Sequence, residues 1–323
     1  MIVVTGGAGF IGSAIVWALN KGGENDIIIV DELGTDEKWK NLVGLKFEDF
    51  INKHLFLDQI SAGKYEEAEV IIHMGANSST TEKDADSLMT NNYEYTKKLA
   101  EFCLWNDIRF IYASSAATYG DGSSGFDDDV NLCEKLRPLN MYGYSKNLFD
   151  LWAHKHDAFK EIVGIKYFNV YGPNEYHKGD MRSVVHKAFE QVRDTGKVKL
   201  FKSQRPEYKD GEQKRDFIYV KDAVDMTLHF YKNKDKCGLF NVGSGKARTW
   251  NELVNALFKA MNLPVNIEYI DLPDHLADKY QYFTEAPLKR IKSAGYKKAL
   301  SALEAGVSDY VKNYLQGNRF LGM

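Results

Sequence analysis

Three evenly spaced glycines constrain this chain more than any other feature. The run Thr5-Gly6-Gly7-Ala8-Gly9-Phe10-Ile11-Gly12 joins the apolar stretch Ile2 to Val4 to a helical stretch from Phe10 to Asn20. A strand that turns into a helix through glycines lets backbone amides at the helix start approach a pyrophosphate without Cβ obstruction. The spacing Gly-x-x-Gly-x-x-Gly departs from the Gly-x-Gly-x-x-Gly fingerprint, and a glycine trio alone also suits a tight turn that packs a helix on a sheet. Its position after the first strand, with Asp31 closing the next apolar run Ile27 to Val30, favours the dinucleotide reading.

Val70 to His73, Phe110 to Ser114 and Ile162 to Tyr167 read as further buried parallel strands. A helical stretch from Ala85 to Trp105 separates the first two, and a helix carrying Tyr142 and Lys146 precedes the third. This alternation predicts an α/β fold, a Rossmann-like doubly wound parallel sheet with ligands at the carboxyl ends of its strands. Gly6, Asp31, Gly75, Ser115 and Asn169 all follow predicted strands. After Gly172-Pro173 the alternation weakens, and a smaller C-terminal α/β substrate domain is expected there. Asp216 to Val220 and Gly238 to Val242 read as strands that return to the main sheet. The domains are therefore discontinuous: residues 1–169 plus about 216–243 for the dinucleotide, and about 170–215 plus 244–323 for the substrate.

Lys plus Arg number 42 and Asp plus Glu 45, a net charge of −3 that gives no global field to recruit nucleic acid or an acidic membrane. Any anion must be held by local basic residues. No apolar run approaches the ~20 residues of a membrane-spanning helix, and a strand beginning at Ile2 leaves no room for a signal peptide. Cys103, Cys133 and Cys237 are odd in number and far apart, which points to a reduced, cytoplasmic setting. His177 and His186 have no companions at metal-ligand spacing, so no metal is assigned.

Tyr142 and Lys146 stand four positions apart and would share one helix face. A phenol with an ordinary pKa of about 10 is a poor base near neutrality unless a cation favours its phenolate. Lys146 and an oxidised nicotinamide would supply that charge, and their proximity is expected to outweigh desolvation. Ser115, at a strand end, would hold a substrate hydroxyl while Tyr142 accepts its proton. At the ribose, Asp31 favours NAD because a carboxylate repels a 2′-phosphate, whereas Lys38 and Lys53 could neutralise that phosphate.

Thr5 to Gly12, Ser114-Ser115-Ala116-Ala117-Thr118-Tyr119-Gly120 and Tyr142-Gly143-Tyr144-Ser145-Lys146 resemble the extended short-chain dehydrogenase/reductase family of nucleotide-sugar enzymes. A narrower likeness to the ADP-sugar epimerases of that family runs along nearly the full length. It rests on residues 75–82, Asn91-Asn92-Tyr93, Pro138-Leu139-Asn140, residues 167–173, His177-Lys178-Gly179 and Lys214-Arg215-Asp216-Phe217.

The resemblance implies inversion of a carbon without an acidic hydrogen, by oxidation to a ketone, reorientation, and return of hydride to the other face. It assigns Tyr142 and Lys178 as acid–base groups on the two sides, with Ser115 and Lys146 completing the catalytic set. Bound NADP, with NAD the alternative, would lie against Gly6, Gly9, Phe10, Ile11 and Gly12. Asp31, Glu32, Lys38 and Lys53 would meet its adenosine end. Met74, Gly75, Ala76, Asn77, Ser78, Asn91 and Val170, with Lys146 and Lys178, would complete the wall. The ADP-sugar would meet Ser115, Asn169, Asp180, Lys187, Phe201, Lys202, Ser203, Gln204, Arg215 and Tyr280. Met74, Asp180, Lys187 and a longer segment at 205–213 depart from the family pattern. A homo-oligomer, a pentamer in this family, is also implied. The alternatives are a 4-epimerase of another nucleotide sugar and a non-catalytic dinucleotide-binding sensor; Ala116 and Ala117 after Ser115 disfavour a dehydratase, which needs an acidic group there.

Overall fold

The computed structural model describes residues 1–273 and 280–323. Its first half alternates as follows: β1 (Ile2–Thr5), α1 (Phe10–Lys21), β2 (Ile27–Asp31), β3 (Asp49–Asn52), α2 (Lys53–Ser61), β4 (Val70–His73), α3 (Ala85–Leu88), α4 (Tyr95–Trp105), β5 (Arg109–Ser115), α5 (Met141–Lys155) and β6 (Val163–Tyr167). Then come β7 (Asn169–Tyr171), α6 (Val184–Thr195), β8 (Val198–Phe201), β9 (Lys214–Tyr219), α7 (Val220–Lys232), β10 (Gly238–Val242), β11 (Ala247–Thr249), α8 (Trp250–Met261), β12 (Ile267–Ile270), α9 (Lys289–Ser293) and α10 (Leu303–Tyr310).

Seven parallel strands form the main sheet in the order β10-β6-β5-β4-β1-β2-β3. Alternate residues of each strand feed opposite faces. Val4, Ile29, Ile72, Ile111 and Ile165 pack on the side of α1 and α7, while Val3, Ile28, Ile71 and Phe110 pack on α2, α4 and α5. Burial on both faces is why these strands read as continuous apolar runs. The chain runs outward from β1 to β3 and then returns to β4 on the other side of β1, so a crevice opens at the carboxyl ends of β1 and β4.

Two smaller sheets complete the molecule. β9 lies between β7, to which it is parallel, and antiparallel β11, while β8 pairs with β12. The expectation that Asp216 to Val220 returns to the main sheet is therefore corrected. β9 carries the strand signal but joins the small sheet, and β10 regains the large one. The predicted helix from Ala85 to Trp105 is α3 and α4 with a wide turn, Met89–Glu94, between them. Such an extra-residue bulge in a helix re-aims side chains, and it carries Asn91 and Asn92.

Candidate active site

A groove follows the crevice in three adjoining compartments of about 230, 560 and 290 Å³. The first and second share Gly6, Asp31, Lys38, Gly75, Ala76 and Asn77. Ser115, Tyr142, Tyr167, Phe168 and Asn169 are common to the second and third. One ligand path thus runs from the end of β2, past the glycine turn, to β9.

The glycine turn is built by close approach. Gly6 has φ +65°, and a Cβ on it would stand 2.6 Å from the Gly75 nitrogen at the end of β4. A Cβ on Gly12 would run into the Gly6 carbonyl oxygen. Gly9 precedes α1, whose first helical residues Phe10, Ile11 and Gly12 line the middle compartment. The result is a cradle bare of side chains at a helix start, which fits a dinucleotide pyrophosphate.

In the first compartment Asp31 accepts from the Ala8 amide at 2.9 Å and the Glu32 amide at 2.7 Å. Lys38 donates to Asp31 at 2.9 Å, and Lys53 pairs with Glu32 at 2.7 Å. The Lys53 ammonium holds the Glu32 carboxyl below its usual range. Lys53 also donates to Asn91 Oδ1 at 3.0 Å, so both lysines lie in the first compartment, each facing a carboxylate.

The wall from β4 continues through Met74, Gly75, Ala76, Asn77 and Ser78. Asn92, fully buried, accepts from the Asn77 amide at 2.9 Å and donates to the Asn77 carbonyl at 2.9 Å and to Ser145 Oγ at 3.0 Å. It ties this wall to α5. Its role was hidden in sequence, although two asparagines inside a helical run, where asparagine is a poor former, signal an interruption.

Tyr142, Lys146 and Ser115 meet at the middle of the groove. Asn140 caps α5 by accepting from the Gly143 amide at 2.8 Å. Ser115 closes β5, and its Oγ accepts from the Ala117 amide at 3.1 Å while facing Tyr142. Lys146 donates to the Ala113 carbonyl at 2.8 Å, and burial pulls its ammonium down to about 8, with Asp150 opposing. Burial raises the Tyr142 phenol and the Ser115 hydrogen bond acts against that rise. In the protein alone burial dominates at Tyr142, because Lys146 is turned toward a main-chain carbonyl; the expected balance also calls on the charge of an oxidised nicotinamide.

Lys178 lines the same compartment, with Val170, His177 and Met181. Its ammonium is 5.7 Å from the centre of the Phe10 ring, and burial lowers its pKa while Glu175 opposes. Glu175, itself buried, accepts from the Ser183 amide at 2.5 Å and the Ser183 hydroxyl at 2.7 Å.

The third compartment carries Arg215 and Tyr280 beside Ser115 and Asn169. The Arg215 guanidinium sits 5.4 Å from the Tyr280 ring centre and 5.7 Å from that of Trp250. It donates to the main-chain carbonyls of Lys214 and Gln281, and burial lowers it to about 10. Among the described residues no carboxylate pairs with it, which leaves a buried cation facing the groove.

Six of the sequence-derived candidates do not line the groove. Lys187 donates to the Asp180 carbonyl at 3.1 Å at the foot of α6. Phe201 meets Tyr280 edge to face at 6.3 Å, and so touches the compartment through that ring. Lys202 pairs with Asp271 at 3.0 Å on the surface. The Ser203 amide donates to Asp210 Oδ1 at 2.8 Å within the same loop, and the Gln204 amide donates to Tyr282 Oη at 3.0 Å, tying that loop to the segment after residue 280.

A glycine cradle at the switch point of a parallel sheet, with Ser115, Tyr142 and Lys146 at its centre, defines a dinucleotide-dependent enzyme of the short-chain dehydrogenase type. Residues 2–243 match the model of the NAD dependent epimerase/dehydratase family, and the chain belongs to that family. It is 54% identical over 316 residues to ADP-L-glycero-D-manno-heptose-6-epimerase of Nitratidesulfovibrio vulgaris, covering 98% of each chain. The enzyme of the same name from Fusobacterium nucleatum is 50% identical over 325 residues, again with 98% of each covered. Among solved structures, that of Helicobacter pylori ADP-L-glycero-D-manno-heptose-6-epimerase superposes with a TM-score of 0.81 at 29% identity, over 97% of this chain and 95% of that one.

Proposed function

We propose that the protein interconverts ADP-D-glycero-D-manno-heptose and ADP-L-glycero-D-manno-heptose by transient oxidation at C6″, supplying heptose for the lipopolysaccharide inner core. The observation that carries this reading is full-length identity of 50 and 54% to enzymes of that name. Support comes from the groove, where Tyr142 and Lys178 line the same compartment from different elements.

The bound dinucleotide supplies the hydride acceptor and donor, and everything else falls to side chains of this chain. Ser115 orients the substrate hydroxyl and Tyr142 takes its proton, with Lys146 favouring the phenolate. Once the ketone has turned, Lys178 handles the proton on the other side. Arg215, paired with no carboxylate among the described residues and held between two aromatic rings, binds a diphosphate oxygen. Tyr280, with Phe201 packed against its ring, meets the ADP part of the substrate, while Asp180, Lys187, Lys202, Ser203 and Gln204 lie outside the three compartments. The cofactor is NADP, its 2′-phosphate met by Lys38 and Lys53 once they release Asp31 and Glu32. Residues 1–169 with about 216–243 hold the dinucleotide and the remainder the sugar, allowing for β9 in the small sheet. A homo-oligomer in the cytoplasm completes the reading.

The test is direct. Purified protein given the D-glycero epimer should form the L-glycero epimer, resolved by chromatography. No conversion by folded, dinucleotide-loaded protein, or turnover confined to UDP-, GDP- or dTDP-sugars in a parallel panel, overturns the reading.

A further inference from the structure

Asn41 lines none of the three compartments, yet it touches two of the segments that build them. Its side chain is 2% exposed. The Nδ2 amide lies 2.9 Å from the Ala8 carbonyl in the glycine turn, 3.0 Å from the Asn174 carbonyl, and 3.2 Å from His177 Nδ1. Two amide hydrogens are thus shared among three acceptors. The short turn that carries it, Glu37–Leu42, also carries Lys38, the partner of Asp31.

Both neighbouring segments are otherwise well fixed. Asn174 has φ +76°, donates to Ser13 Oγ at 3.0 Å and accepts from the Leu321 amide at 2.8 Å. Lys178 lies on the following turn, its amide donating to the Glu175 carbonyl at 3.0 Å. Ser183 holds Glu175 on the far side, and Asn41 holds the side that faces the glycine turn. His177, pushed down to about 4 mainly by burial, is neutral near pH 7 and accepts from Asn41 on Nδ1.

The amide is not explained by stability alone. Among the described residues Asn41 Oδ1 is buried with no partner, a cost that an apolar side chain of similar shape would avoid. What the amide supplies is two-sided donation, to the glycine turn and to the Lys178 segment at once.

We infer that Asn41 is a positioning residue for Lys178, fastening the 174–178 segment to the glycine turn and so setting the reach of the ammonium into the groove. This rests on the reading of Lys178 as the second acid–base group. It also makes the glycine turn, which cradles the dinucleotide, the mechanical reference for that amine.

The experiment compares wild type with Asn41→Ala as dinucleotide-loaded enzyme. Turnover should fall roughly 10- to 100-fold, the loss expected for a misplacement of about an ångström. KM for the ADP-sugar and the amount of dinucleotide released on denaturation should stay unchanged. In a double-mutant cycle, Asn41→Ala added to Lys178→Met should cause no further loss. A readout independent of turnover is acylation of Lys178 by an amine-reactive reagent, followed by peptide mass spectrometry, which should be several-fold faster in Asn41→Ala. Should that variant not fold, His177→Leu removes one contact without touching the glycine turn and should accelerate labelling in the same direction. Unchanged turnover and labelling, or losses that multiply in the double mutant, overturn the inference. A wild type inactive on the ADP-heptose would sink the proposed function instead, and the labelling rates would still decide the role of Asn41.

Discussion

Two buried ammoniums beside the groove meet their desolvation differently. Lys166 pairs with Asp150 at 3.3 Å, donates to Thr118 Oγ1 at 2.8 Å and lies 4.5 Å from the centre of the Tyr119 ring. Lys146 has the Ala113 carbonyl and a more distant Asp150, and its pKa falls to about 8. The sign of the consequence follows from linkage. A lysine with its folded pKa below its unfolded one binds fewer protons in the folded state between those values, so stability rises with pH across the window from about 8 to about 10.5. That displacement is worth on the order of 3 kcal/mol. Unfolding free energies of wild type should therefore climb from pH 8 to 10.5 relative to Lys146→Met, while the variant loses turnover. Parallel pH curves would contradict this. Sequence spacing alone exposed Lys146, because Tyr142 gave it meaning. It did not expose Lys166, because its counter-charge Asp150 is on another element and only the fold joins them.

At the scale of elements, Gly143 decides how closely α5 approaches the end of β5. A Cβ there would stand 2.7 Å from the Ala117 carbonyl oxygen. Alanine inside a helix ordinarily stabilises relative to glycine by about 1 kcal/mol, but here it should do the reverse. Gly143→Ala should lower the melting temperature and cut turnover by pushing Tyr142 away from Ser115, as thermal denaturation and steady-state kinetics would reveal. A more stable, fully active variant would refute the argument. The same scale explains what sequence could disclose. β1, β2, β4, β5, β6 and β10 are apolar on both faces and announce themselves. β3 is an edge strand with only Ile51 buried, so periodicity gave no sign of it. β9 was legible as a strand, but its choice of β7 and β11 as partners depends on contacts that no local pattern encodes. The groove residues that follow strands were legible for the same reason as the strands. Asn41 and Asn92 were not, since their partners lie far along the chain.

Over the whole molecule, one apolar cluster runs from Ile2 in the main sheet to Leu303, Val307 and Leu321 near the end of the chain. The region assigned to the sugar is therefore packed on the same core as the dinucleotide sheet. Heating should give one unfolding transition rather than two, and added dinucleotide should shift it as a unit, by about 2.7 kcal/mol at a hundredfold excess over Kd. Two separated transitions in calorimetry would show independent lobes. The small molecule released on denaturation should have the absorbance and mass of NADP; NAD in its place would show that Lys38 and Lys53 remain with their carboxylates. The common wall of Ser115, Tyr142 and Asn169 has a practical corollary. Because two compartments open onto these shared side chains, a synthetic compound joining a nicotinamide to a sugar diphosphate through a short tether would occupy both at once. Tethering would turn two modest affinities into one strong one, a route to an inhibitor that neither half supplies alone.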